Sequence, residues 1–124
     1  MIVSETKRTF KTRILVQKGN EFVPLSIEDV AILYTHNRVV YLIDSEGKKH
    51  ITGKNLNQLY AQLNKDMFFR ANRQCIINFR FIKSFKTYER VRIRVELSLK
   101  NEPFPVIISQ DNSAEFRKWI NEEE

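Results

Sequence analysis

The sequence predicts a mainly β domain of short antiparallel strands, with one short internal helix and a short helix near the C-terminus. Three observations lead there. The apolar runs, such as VVYLI at 39–43, are only strand-length and are separated by turn residues. In RVRIRVELSL, Val91, Ile93, Val95 and Leu97 alternate with Arg92, Arg94, Glu96 and Ser98, the period of a strand with one wet, basic face. No alternation of strands with long helical segments is visible, which argues against a doubly wound nucleotide-binding fold.

Taken in order, residues 1–11 read as a polar arm or the remnant of an interdomain linker, charged and with only isolated apolar positions. TRILVQ (12–17) and EFVPL (21–25) flank KGN, where Gly19 and Asn20 suit a hairpin turn. EDVAILY leads through THNR into VVYLID (39–44), and SEGK turns the chain into KHIT (49–52). The period changes at NLNQLYAQL, where Leu56, Leu59, Tyr60 and Leu63 fall on one face of a short amphipathic helix. MFFR, QCIIN, FRFIKSFKTY, RVRIRVELSL and PFPVIIS (103–109) read as further strands, with Pro103 and Pro105 suited to a strand start or an edge. DNSAEFRKWI reads as the last helix, capped by Asp111, Asn112 or Ser113 and packed through Phe116, Trp119 and Ile120. The domain is expected to span 12–120, with an acidic tail at 121–124.

At 124 residues the chain has the length of one domain. No apolar run is long enough to span a bilayer, and the N-terminus lacks the apolar stretch of a secretory signal. Cys75 alone provides neither a disulfide framework nor metal-ligand spacing, and inside an apolar strand it reads as a buried, inert thiol. That fits a reducing compartment, so a cytoplasmic location is expected. His36 and His50 stand at no metal-binding spacing. With three glycines the chain offers no phosphate-cradling loop, and no nucleophile elbow is present. The expectation is a non-enzyme with no cofactor, no metal and no small-molecule substrate.

Charge gives the first functional direction. Lys and Arg number 21 against 15 Asp and Glu, a net charge of +6. Eight basic residues (Arg70, Arg73, Arg80, Lys83, Lys86, Arg90, Arg92, Arg94) and only two acids (Glu89, Glu96) lie between Met67 and Leu99. Five of the acids follow residue 110. A basic middle and an acidic end describe a one-sided field of the kind polyanion binders carry; the plainer alternative is a solvated basic strand face.

The stretch FFRANRQCIINFRFIKSF (68–85), preceded by a short Leu-rich helix, resembles the signature of LytTR-type DNA-binding domains. Phe68, Phe69, Arg70, Arg73, Ile76, Ile77, Asn78 and Ile82 carry the match. PLSIEDVAILYTHNR upstream resembles the family's entry strand, and VIISQDNSAEFRKWI downstream resembles its last strand, loop and closing helix. The resemblance runs from Lys11 to Ile120. It implies an elongated antiparallel β fold that binds duplex DNA through inter-strand loops, usually bending it. It also implies the transcription-regulating output domain of a bacterial two-component response regulator, with a receiver domain in the full-length protein and a dimer on paired half-sites.

Carried onto this chain, the resemblance turns three loops toward DNA. The first presents His36, Asn37 and Arg38, the second Asn72, Arg73 and Gln74, and the third Ser109, Gln110 and Asn112. Arginine can fork onto guanine or phosphate, an amide can pair with adenine, and Ser109 and Asn112 before the last helix can hold a phosphate. Arg70 is expected to be scaffold, and Asn78 to satisfy a turn backbone. The chain departs from the family at Asn72, where histidine is common, and at Gln110 and Asp111, where arginines are common. Asp111 is expected to cap the helix rather than face phosphate. The first loop also lacks the family's usual glycine. The competing reading is a non-catalytic basic module for an acidic protein or membrane surface. Lipid binding calls for exposed aromatics beside the basic residues, whereas Phe68, Phe69, Phe79, Phe81 and Phe85 are expected in the core.

Overall fold

A computed structural model describes residues 9–100 and 103–121; most of the expected arm and acidic tail lies outside the described residues. The strands are β1 (Arg13–Lys18), β2 (Glu21–Ser26), β3 (Val30–His36), β4 (Val39–Asp44), β5 (Lys49–Thr52), β6 (Phe68–Asn72), β7 (Cys75–Asn78), β8 (Ile82–Tyr88), β9 (Arg92–Ser98) and β10 (Pro103–Ile108). Helix α1 (Leu56–Gln62) separates β5 from β6, and α2 (Ser113–Asn121) follows β10. Seven strands form one sheet in the order β2-β1-β5-β4-β3-β7-β6, and three form a second in the order β10-β9-β8. Every pairing is antiparallel, in agreement with the fold class expected from the sequence.

Two cores lie on the two faces of the large sheet. On one, Leu56, Leu59 and Leu63 of the α1 segment cover Ile14, Val16, Leu33, Leu42 and Ile76. On the other, Ile93, Val95 and Leu97 of β9, Val106 and Ile108 of β10 and Phe116 of α2 cover Ile32, Ile43, Phe69 and Ile77. Neighbouring residues of a strand point to opposite faces, so β3 gives Leu33 to one core and Ile32 to the other, and β7 divides Ile76 and Ile77 likewise. The buried stretches Val30–Leu33 of β3 and Cys75–Ile77 of β7 are therefore continuously apolar, while β9, covered on one face only, alternates. Burying each such side chain is worth about 1.5–3 kcal/mol. The small sheet and α2 do not reach the β2-β1-β5 end of the second face, where Leu15, Phe22 and Ile51 are exposed.

Local chemistry sets the ends of the elements. Gly19 takes a φ of 63° in the β1–β2 turn, a region open to glycine at little cost. Asn55 caps α1: its side chain accepts from Gln58 N–H at 2.8 Å, and Gln58 Oε1 accepts from Asn55 N–H at 3.1 Å. Asn78, wholly buried, accepts from Arg80 N–H at 2.9 Å and donates Nδ2 to Val30 O at 2.8 Å, the structural role expected of it. Both prolines of β10 lie on an edge strand.

Three expectations are corrected. Phe79 opens a 3-10 turn after β7, which swings its ring outward to meet the edge of Trp119 and leaves it 47% exposed. Phe85, on the outer strand β8, packs edge-on against Phe116 but stays 38% exposed. Val91 belongs to the β8–β9 turn rather than to the inward series of β9, and is 52% exposed.

Candidate nucleic-acid interface

Three connections meet at one end of the strands. The β3–β4 turn holds Asn37 at φ 51° and Arg38 at φ 68°, two consecutive left-handed residues and no glycine. This is the backbone of a two-residue hairpin turn, in which Asn is at ease and Arg costs about 1–2 kcal/mol. The side chains of His36, Asn37 and Arg38 are exposed and make no hydrogen bond or ion pair among the described residues.

The β6–β7 turn is braced from behind by Arg70. Its Nε donates to Asn72 O at 3.0 Å, its Nη2 to Arg73 O at 2.8 Å, and its Nη1 to Asn57 Oδ1 of α1 at 3.0 Å. Three donors of one guanidinium are thus spent on scaffold, as expected. Asn72 works the same way: Oδ1 accepts from Gln74 N–H and Nδ2 donates to Ile107 O, both at 2.7 Å. That leaves Arg73 and Gln74 as the exposed side chains of the turn. Cys75 follows them inward, and burial pushes its thiol up to about 12, so it stays protonated at neutral pH.

The β10–α2 connection is stitched to the same place. Ser109 N–H donates to Ala71 O at 3.1 Å, and the Asn112 amide lies 3.2 Å from Arg70 O. Ser113 Oγ lies 2.6 Å from Val91 O and 3.0 Å from Ser109 O. Asp111, expected to cap α2, is exposed and makes no hydrogen bond among the described residues; Asn112 and Ser113 supply the side-chain bonds there. Gln110 is exposed, Ser109 and Asn112 half-buried. A bond from Thr35 N–H to Gln74 O at 2.9 Å joins the first turn to the second.

Two hollows result. One, of about 670 Å³, gathers Arg38, Lys54, Arg70 and Arg73 beside Asn57 and Gln58, with no acid among the described residues that line it. The other, of about 450 Å³, places Gln74, Gln110 and Arg92 around Asn72 and Ser109, with Asp111 the one acid among the described residues that line it. Four unopposed cations in one cleft suit a polyanion. Lys54 and Arg92 were not among the contact residues expected from the sequence; the wet face of β9 was the available signal for Arg92.

A family model described as the LytTr DNA-binding domain matches residues 20–121. Among solved structures, the chain resembles the LytTr DNA-binding domain of a putative methyl-accepting/DNA response regulator from Bacillus cereus, with a TM-score of 0.79. The two share 21% identity over 89% of this chain and 97% of that one, a likeness that speaks to fold. No curated protein matches the chain.

Proposed function

The chain belongs to the LytTr DNA-binding domain family, and from that premise we propose that it binds duplex DNA with sequence preference through the three connections at this end of its sheets. In this reading it is the transcription-regulating output domain of a two-component response regulator in the cytoplasm, joined in the full-length protein to a receiver domain and bound to paired half-sites as a dimer. The observation that carries the proposal is the acid-free cleft of Arg38, Lys54, Arg70 and Arg73, beside turns whose exposed side chains have no partner among the described residues.

Roles follow from how each side chain is held. Arg73 and Arg38 fork onto guanine O6/N7 or phosphate, and Gln74 and Gln110 read base edges through their amides. His36 and Asn37 add donors at the first tip, and Ser109 meets backbone phosphate. Asn72 and Asn112 act by holding the turns in register, because their amides are taken by Ile107, Gln74 and Arg70. Asp111, next to Gln110, repels phosphate and narrows what the third connection can approach.

The test is selection of bound duplexes from a random pool at about 150 mM salt, wild type beside Arg73→Ala. The expected result is a motif of two half-sites roughly one helical turn apart. The variant should bind that motif more weakly by about 1–3 kcal/mol. No enrichment over the input pool sinks the proposal. A second reading, docking on an acidic protein or membrane surface, draws on the exposed rings of Phe79 and Phe85, each followed in sequence by an exposed cation, Arg80 and Lys86. It predicts binding to anionic vesicles without discrimination among duplexes.

A further inference from the structure

We propose that the β8–β9 hairpin is a fourth DNA-contacting element, in which Arg90 docks on backbone phosphates beyond the three connections already described. This inference rests on the DNA-binding reading above.

Position is the first argument. Hydrogen bonds run from the first turn to the second (Thr35 N–H to Gln74 O) and from the second to the β10–α2 connection (Ser109 N–H to Ala71 O). Ser113 Oγ then reaches Val91 O in the β8–β9 turn at 2.6 Å. The hairpin is thus the next member of one series along one end of the molecule. Arg92, at its base, already lines the hollow that holds Gln74 and Gln110.

Charge is the second. On the outward face of the small sheet Lys86 pairs with Arg94, and Tyr88 with Arg92, across the strands. Arg94 is compensated by Glu96, Nε to Oε2 at 2.9 Å. Arg92 and Glu89 are 3.8 Å apart and largely exposed, a pairing of little strength. Arg90 at the tip is exposed and makes no hydrogen bond or ion pair among the described residues.

Backbone conformation is the third. Glu89 and Arg90 have φ of 26° and 59°, so this hairpin, like that of Asn37 and Arg38, turns through two left-handed residues. The first is a two-residue turn and the second a three-residue turn, Glu89 to Val91, but in both an arginine holds a left-handed position that glycine adopts at least cost. A hairpin shaped for stability alone has no use for arginine there; a hairpin that carries a cation to its tip does. The Arg90 guanidinium forks onto phosphate oxygens and adds affinity for any flanking duplex.

The test replaces the two left-handed residues by types at ease in that conformation, Glu89→Asn with Arg90→Gly. One acid and one base are lost together, so the net charge of +6 is unchanged and the hairpin keeps its shape. Affinity is measured against salt for the selected duplex and a scrambled one, with wild type and Arg73→Ala in parallel. The expected result is a melting temperature no lower than wild type, a loss of affinity by the same factor on both duplexes, and a salt slope smaller by about 1. The proposal is overturned if wild type discriminates between duplexes while the tip variant binds both as tightly as wild type, with an unchanged slope. If wild type itself prefers no duplex, the reading beneath the proposal has failed and takes this one with it.

Discussion

At one end of β4, buried Asp44 accepts hydrogen bonds on Oδ1 from the N–H groups of Glu46 and Lys48, each at 2.9 Å, and on Oδ2 from His50 Nε2 at 2.8 Å. Gly47 supplies the left-handed residue of that turn at φ 83°. At the other end of β4, Asn37 and Arg38 supply left-handed conformations without a glycine, and their side chains bond to nothing among the described residues. Both turns join antiparallel neighbours in one sheet. The first satisfies its own polar groups and puts glycine at its left-handed position; the second leaves its side chains unbonded among the described residues and holds an arginine left-handed. That difference separates a turn that closes the fold from one whose groups are held ready for something outside it.

The largest effect is expected from Asp44→Ala, which leaves two backbone donors and the His50 ring without their acceptor. Unfolding in urea should show a loss of about 2–4 kcal/mol, with DNA affinity unchanged for the molecules that remain folded. A change in affinity as large as the change in stability would erase the distinction between the two ends. The same carboxylate gives a pH signature. Burial alone would raise its pKa, but the bonds from His50, Lys48 and Glu46 outweigh burial and hold it below the ordinary 3.8. A carboxylate depressed in the folded state stabilises fully above its unfolded value, and that stability fades as pH falls through the folded one. Wild type should therefore lose this contribution below about pH 4, and the variant should lack that part of the acid limb.

A smaller effect is expected from Gly47→Ala, which forces a Cβ into a left-handed conformation at a cost of about 1–2 kcal/mol, read as a lowered denaturation midpoint. The smallest, and of opposite sign, is Arg38→Gly. Joined to Asn37 it makes the favoured Asn-Gly turn and should stabilise the fold by up to about 1 kcal/mol, while DNA binding weakens. A variant more stable and equally tight on DNA would show that the strain at Arg38 serves no contact.

Much of this architecture was legible because it rests on local periods. The alternation of β9, the leucine spacing of α1 and the KGN turn are each set by local residues, and, Val91 apart, each lies where the sequence placed it. Asn78 was legible for the same reason, a short polar side chain directly after an apolar strand. Asn72 shows the limit. Its type and place in an exposed turn suggest a group that faces a ligand, yet its amide is directed at Ile107 O, thirty-five residues away in sequence. Nothing local announces such a partner. Phe79 and Phe85 show another limit: a ring spaced like core stays half-open where a 3-10 turn or an edge strand carries it, and the spacing announces neither.

The edges of the two sheets share one property. Pro24 lies inside β2, Pro105 inside β10, and pairing shifts register between Arg70 and Asn72 on β6 and between Ile82 and Ser84 on β8. Each outermost strand is thus interrupted by a missing N–H donor or an irregular register, features that stop one chain from extending its sheet into the next. If copies gather at neighbouring sites on one duplex, as the proposed function has it, those interruptions keep their sheets from joining edge to edge into a fibre.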